Sequence, residues 1–106
     1  MFVFNTTFSV KNTRLDEWRQ WINNTYLPEI GALLLTNGVE IFEVMMTDQE
    51  DSRTFSVQWR CMFPDHLETI NQKTTELYNR LPDLFGEDCL HFSTILKEYK
   101  TEEDIV

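Results

Sequence analysis

Four stretches of this sequence alternate apolar and polar residues at every second position, and two stretches between them repeat apolar residues at helical spacing. Residues 2–10, 39–46, 54–63 and 90–99 alternate, which is typical of β-strands with one face buried. The two helical stretches begin near residues 13 and 64. The sequence therefore predicts the order β-α-β-β-α-β, which leaves few topologies open.

That order is the ferredoxin-like pattern of two split β-α-β units. It predicts an α+β fold in which a four-stranded antiparallel sheet carries two helices on one face. Right-handed crossovers place the first and third strands in the centre and the other two at the edges. A chain of 106 residues has room for one domain, so residues 1–106 are predicted to form a single one.

Local signals set the expected ends of the helices. Thr13 is a candidate N-cap for the first helix, and Pro28 disfavours helical geometry at Leu27. We therefore expect a break at Leu27, followed by a short helical turn to about residue 34. Pro82 and Gly86 are expected to end the second helix or to force a tight turn. Residues 47–52 are predicted to form an acidic turn between the second and third strands.

Charge argues against several classes of partner. The chain has 18 acidic and 9 basic residues and a net charge of −9, so nucleic acid and anionic membrane surfaces are disfavoured. No apolar run approaches the roughly 20 residues that span a bilayer. The N-terminus lacks the basic region of a signal peptide, which predicts a cytoplasmic protein with Cys61 and Cys89 reduced.

The two sets of strand residues predict two different sheet faces. The more apolar set is expected beneath the helices: Phe2, Phe4, Phe8, Phe42, Val44, Phe55, Val57, Trp59, Leu90, Phe92 and Leu96. The opposite set mixes apolar residues with polar and charged ones, which suggests a face covered by a second copy of the chain. The alternative is an antiparallel sheet solvated on that side.

The best candidate site lies on this second face. Asn5, Glu43, Gln58, Arg60 and His91 share its parity and come from four strands, as expected of a small-molecule pocket. Arg60 and His91 are expected about 10 Å apart, two strand spacings, on either side of a small anionic or phenolic ligand. The alternative is a network of hydrogen bonds and ion pairs within a dimer interface, with no ligand.

Sequence motifs for metals, nucleotides or nucleophilic catalysis are missing. The two histidines lack metal-ligand spacing, and the three glycines are isolated, so a phosphate-binding loop is not predicted. Neither cysteine lies in a Cys-x-x-Cys motif. We therefore expect no metal and no cofactor.

Nearly the whole of residues 2–99 resembles a small bacterial family, domain of unknown function 4286. The resemblance rests on "FNTTF", "EWRQWINNTYLPEI", "TFSVQWRC" and "LFGEDCLHFSTILKEY". That family often has His at the position of Tyr26. The resemblance implies a fold similar to the dimeric α+β barrels, in which two ferredoxin-like sheets pack face to face.

Two functions remain open from the sequence. The first is a dimeric, non-catalytic module that binds a small molecule or another protein. The second, by analogy with dimeric α+β barrels, is a cofactor-independent oxygenase or isomerase with a polar pocket between the sheets. The second needs a base, and His91 is the candidate. Whether the chain is an enzyme is left open at this point.

Overall fold

The computed structural model describes residues 1–45 and 50–100, and their elements follow the predicted order. The strands are β1 (Phe2–Lys11), β2 (Val39–Val44), β3 (Ser52–Cys61) and β4 (Cys89–Lys97). The helices are α1 (Leu15–Trp21), α2 (Leu27–Gly31), α3 (Pro64–Tyr78) and α4 (Leu81–Phe85). Residue 46 of the predicted second strand and residues 47–49 of the predicted turn lie outside the described residues.

All strand pairs are antiparallel, and the sheet order is β2-β3-β1-β4. The prediction that the first and third strands are central is confirmed. With the helices packed against one side of the sheet, this is the ferredoxin-like α+β fold. We call the side of the sheet away from the helices the open face.

The core lies between the two central strands and the helices. Alternate residues of β1 and β3 point into it and are buried: Phe4, Thr6, Phe8, Val10, Phe55, Val57, Trp59 and Cys61. Helix α3 contributes Leu67, Ile70, Thr74 and Leu77, whose spacing of three or four residues forms one stripe. Phe8 is ringed by aromatic side chains from three elements, which fixes the sheet against the helices.

The first helical region is continuous, and the predicted break at Leu27 is wrong. A 3-10 turn (Asn12–Arg14) precedes α1, and a π-helical segment (Ile22–Tyr26) joins α1 to α2. Thr13 therefore lies inside a helical turn, with no side-chain cap at its start. The Leu27 N–H bonds to the Ile22 carbonyl, and this wider turn accommodates the proline ring at Pro28. The extra residue also turns Tyr26 fully into the core.

The parity predicted for both edge strands is wrong. In β4, Phe8 pairs with His91 and Thr6 with Ser93, so Leu90, Phe92 and Leu96 lie on the open face. In β2, Phe42 and Val44 likewise lie on the open face, because their partners are Ser56 and Thr54. The cause is that the helices mainly cover the central strands, so only one end of each edge strand, at Val39 and at Cys89, reaches the core.

Among the described residues, no helix is long and apolar enough to cross a membrane. The 15 residues of α3 form a surface helix with one buried stripe.

Candidate ligand site on the open sheet face

The strand register separates the five predicted site residues into two groups. Asn5, Gln58 and Arg60 lie on the open face, as predicted. His91 and Glu43 lie on the helix side, because they pair with the core residues Phe8 and Phe55. The prediction that all five converge on one face is therefore wrong, for the reason given for the edge strands.

The open face is ordered as four rows across the sheet, written from β2 to β4. The rows are Gly38-Arg60-Val3-Leu96, Glu40-Gln58-Asn5-Thr94, Phe42-Ser56-Thr7-Phe92 and Val44-Thr54-Ser9-Leu90. The last two rows share one pattern: hydroxyl side chains in the middle and large apolar side chains at both edges. The first two rows hold the amides and the charges.

A chain of hydrogen bonds links the middle of these rows. Ser56 Oγ donates to Asn5 Oδ1 at 2.5 Å, and Gln58 Nε2 donates to Ser56 Oγ at 3.2 Å. Asn5 Nδ2 donates to Thr7 Oγ1 at 3.3 Å. Asn5 is only 9% exposed although it lies on the open face, so this network holds the centre of the face in a fixed arrangement.

The charges on this face neutralise one another. The Arg60 guanidinium forms an ion pair with the Glu40 carboxylate across β3 and β2. The predicted partner of Arg60, Glu43, instead lies 4.0 Å from the Arg53 guanidinium on the other side of the sheet. Arg60 is thus held beside Glu40 at one end of the face.

A groove of about 590 Å³ lies over the last two rows. We call it the trough; its hydroxyl floor includes Thr7, Ser9 and Thr54, and its walls are formed by Val44 on one edge strand and Leu90 and Phe92 on the other. Leu90 and Phe92 are 60% and 61% exposed. The volume lies within the range of small-molecule sites, about 300–1,000 Å³.

His91 borders the trough by position, between Leu90 and Phe92, but its ring lies on the helix side. The ring centroid is 4.7 Å from that of Tyr78 and 6.3 Å from that of Phe8. Desolvation lowers the pKa of His91, so the neutral form is favoured. There it borders a smaller polar groove of about 260 Å³ between α3 and β4.

Sequence reasoning missed a buried chain of hydroxyl groups under the sheet. Trp59 Nε1 donates to Tyr26 Oη at 3.1 Å, and the Tyr26 and Tyr78 hydroxyls are 2.8 Å apart. Thr6 Oγ1 is 2.7 Å from Tyr78 Oη and 3.0 Å from Ser93 Oγ. Burial raises the pKa of Tyr26 and of Tyr78, so both phenols stay protonated. One signal was available: the polar atoms of buried Tyr and Trp side chains usually find a hydrogen-bond partner.

The cysteines and acidic groups offer no reactive centre within the described chain. Both thiols are free and buried, and burial raises the pKa of Cys89 to about 11 and that of Cys61 in the same direction. No group of three or more His, Cys, Asp or Glu in residues 1–45 and 50–100 could hold a metal ion. In the four rows of the open face, the ionisable side chains are Glu40 and Arg60. The geometry therefore supports binding through neutral groups.

Comparison with known proteins agrees with this fold. The family model described as domain of unknown function DUF4286 matches residues 1–99, which confirms the resemblance seen in the sequence. No curated protein matches the chain.

Three solved structures have a similar fold at low sequence identity. A dimeric ferredoxin-like protein from an uncultured marine organism superposes with a TM-score of 0.69 and 7% identity, covering 93% of this chain and 95% of its own. An EthD family protein from Bacillus halodurans superposes with a TM-score of 0.63 and 10% identity, covering 93% of this chain and 100% of its own. A putative antibiotic biosynthesis monooxygenase from Bacillus cereus superposes with a TM-score of 0.54 and 15% identity, covering 93% of this chain and 95% of its own. At these identities the likeness shows the fold alone.

Proposed function

The chain belongs to the DUF4286 family, and we propose that this member is a single-domain homodimer, joined through its open sheet faces, that binds a small molecule in the trough without catalysis. One observation carries the proposal: large apolar side chains stand exposed on both edges of a hydrogen-bonded polar centre. A partner surface explains both parts, because it buries the edges and encloses the centre.

The open face carries a regular set of exposed apolar side chains along both of its edges. Five side chains in the four rows have between 39% and 61% of their surface exposed: Phe42, Val44, Leu90, Phe92 and Leu96. Exposed apolar side chains grouped around a polar centre are typical of contact surfaces and ligand grooves. At about 25 cal/mol per Å² of apolar area removed from water, covering them would stabilise an assembly by several kcal/mol.

Charge favours a second copy as the occupant. The chain has a net charge of −9, so most pairs of identical surfaces would repel. The four rows carry one acid and one base, Glu40 and Arg60, already paired within the chain. Two such faces can meet without opposing like charges. The marine ferredoxin-like neighbour is described as dimeric, which agrees with this arrangement.

The oxygenase or isomerase alternative is less well supported. It requires a base beside the enclosed space, and its candidate, His91, has its ring on the other side of the sheet. The name of the Bacillus cereus neighbour refers to a monooxygenase, but at 15% identity it contributes fold and not activity.

Light scattering on matched variants tests the dimer. We expect wild type at micromolar concentration to have twice the 12.7 kDa mass of one chain. Phe92→Lys places a charge in the proposed interface and is expected to give a folded monomer. Leu84→Lys, at a 50% exposed position on α4, makes the same change away from the face and is expected to remain dimeric.

A wild-type protein that stays at 12.7 kDa would reject the proposal. So would a Phe92→Lys variant that remains dimeric, since the interface would then lie elsewhere.

A further inference from the structure

We propose that the trough selects neutral ligands with a flat apolar body and a hydrogen-bond acceptor near its centre, and rejects anions of the same shape. This inference rests on the proposed function, because it names the ligand class of the same site. Of the anionic or phenolic ligand predicted from the sequence between Arg60 and His91, it rejects the anion and keeps the neutral phenol.

The shape of the trough follows from its two rows. Each row runs from β2 to β4, a distance of three strand spacings, or about 14 Å. Phe42 and Val44 stand on one edge and Phe92 and Leu90 on the other. A flat ring system between such walls would contact apolar atoms at both ends and hydroxyl groups beneath its middle.

The hydroxyl floor has hydrogen-bonding capacity suited to an acceptor on the ligand. A hydroxyl group has one donor and two acceptor positions. Thr7 Oγ1 is used as an acceptor by Asn5, so its own proton can be donated upward into the trough. Ser56 donates to Asn5, which fixes the network beneath. A carbonyl, ether or phenol oxygen fits such a donor.

The charges near the trough argue against an anion. Arg60 is six residues from Thr54 along β3, about 20 Å, and it is already paired with Glu40. The nearer cation, Lys11, lies two residues beyond Ser9 on the same side of β1, and its Nζ is already 3.6 Å from the Asp88 carboxylate. An anion in the trough would therefore lose its hydration with no unpaired cation to compensate. The net charge of −9 adds to that penalty. The four rows also offer no unpaired carboxylate to a cation. A neutral ligand is therefore favoured over both an anion and a cation.

Two fluorescent molecules with the same ring system separate these cases. 6-Propionyl-2-(dimethylamino)naphthalene is neutral and carries a ketone acceptor, and 6-(dimethylamino)naphthalene-2-sulfonate carries a sulfonate in its place. We expect saturable binding of the neutral molecule to the wild-type dimer, at least about tenfold tighter than binding of the sulfonate. Circular dichroism and cooperative unfolding show that each protein used is folded.

A positive charge placed on the floor of the trough should reverse the preference for the neutral molecule over the sulfonate. Ser9→Lys is expected to tighten sulfonate binding by about tenfold and to weaken binding of the neutral molecule. Thr75→Lys adds the same charge at an exposed position of α3 and is expected to change neither affinity.

Every other result rejects one specific part of the inference. Equal affinities, or tighter sulfonate binding, would refute neutral selection and leave the binding function standing. No binding of either molecule to a dimer would refute both the ligand class and the proposed pocket. If Ser9→Lys alters neither affinity, the molecules bind outside the trough and the inference fails.

Discussion

Replacing Tyr26 with Phe removes one oxygen atom from the centre of the core. Tyr26 has no exposed surface, and its hydroxyl accepts the Trp59 indole N–H while pairing with the Tyr78 hydroxyl. The indole nitrogen can only donate, so the chain is satisfied when each hydroxyl donates to the next, ending at Ser93. Tyr26→Phe interrupts this chain at its first acceptor.

The magnitude follows from what each neighbour loses. The Trp59 N–H is left buried without a partner, which costs about 1–3 kcal/mol, and the bond to Tyr78 is worth about 1 kcal/mol. Tyr78 keeps its bond to Thr6 at 2.7 Å. The total is about 2–4 kcal/mol, a large share of the roughly 5–15 kcal/mol that stabilises a domain. At about 2.1 cal/mol/K per residue over 106 residues, this lowers Tm by about 9–18 °C.

Urea unfolding followed by tryptophan fluorescence measures this loss. Tyr99→Phe is the matched control, because Tyr99 is 76% exposed, and its effect should stay within about 0.5 kcal/mol. A Tyr26→Phe protein as stable as the control would refute the argument that the hydroxyl chain holds the core together.

Two further predictions concern titratable groups. Burial and a pKa of about 11 for Cys89 should make both cysteines react with a disulfide reagent at pH 8 far more slowly in the folded protein than in urea; equal rates would contradict the buried positions. Because desolvation lowers the pKa of His91 in the folded state, its contribution to stability is fully present above the unfolded pKa of about 6.5 and is lost as pH falls from that value through the lower folded pKa. His91→Gln should therefore lose less stability than wild type between pH 7.5 and pH 5.5 in urea titrations, and parallel curves would refute the assignment.

The central strands could be predicted from the sequence because burial decides their orientation. Phe4, Phe8, Val57 and Trp59 are covered by helices, so the apolar set has one favourable direction. The placement of Asn5, Gln58 and Arg60 on the open face follows from the same alternation. That these residues border a ligand pocket stays a prediction.

Features that depend on pairing across long sequence separations could not be predicted. The hydroxyl chain joins Thr6 to Tyr78, 72 residues apart, and Tyr26 to Trp59, 33 apart. Local rules also do not predict the π-helical turn that accommodates Pro28, because the residue before a proline is disfavoured in helices. Both features arise because the packed core outweighs local preference.

The orientation predicted for the side chains of the edge strands is wrong for a reason that bears on the proposed function. Placing the more apolar residues under the helices assumes that a chain buries its apolar side within itself. In β4 the first residue, Cys89, is buried, but the later residues on the helix side, including His91 and Ser93, are exposed, and so are Leu90 and Phe92 on the open face. Beyond Cys89, neither side of the strand is covered in the isolated chain, so intramolecular burial cannot account for the alternation of Leu90, Phe92 and Leu96. An apolar periodicity that the monomer leaves exposed is explained by a covering partner, and the homodimer supplies one with the same periodicity.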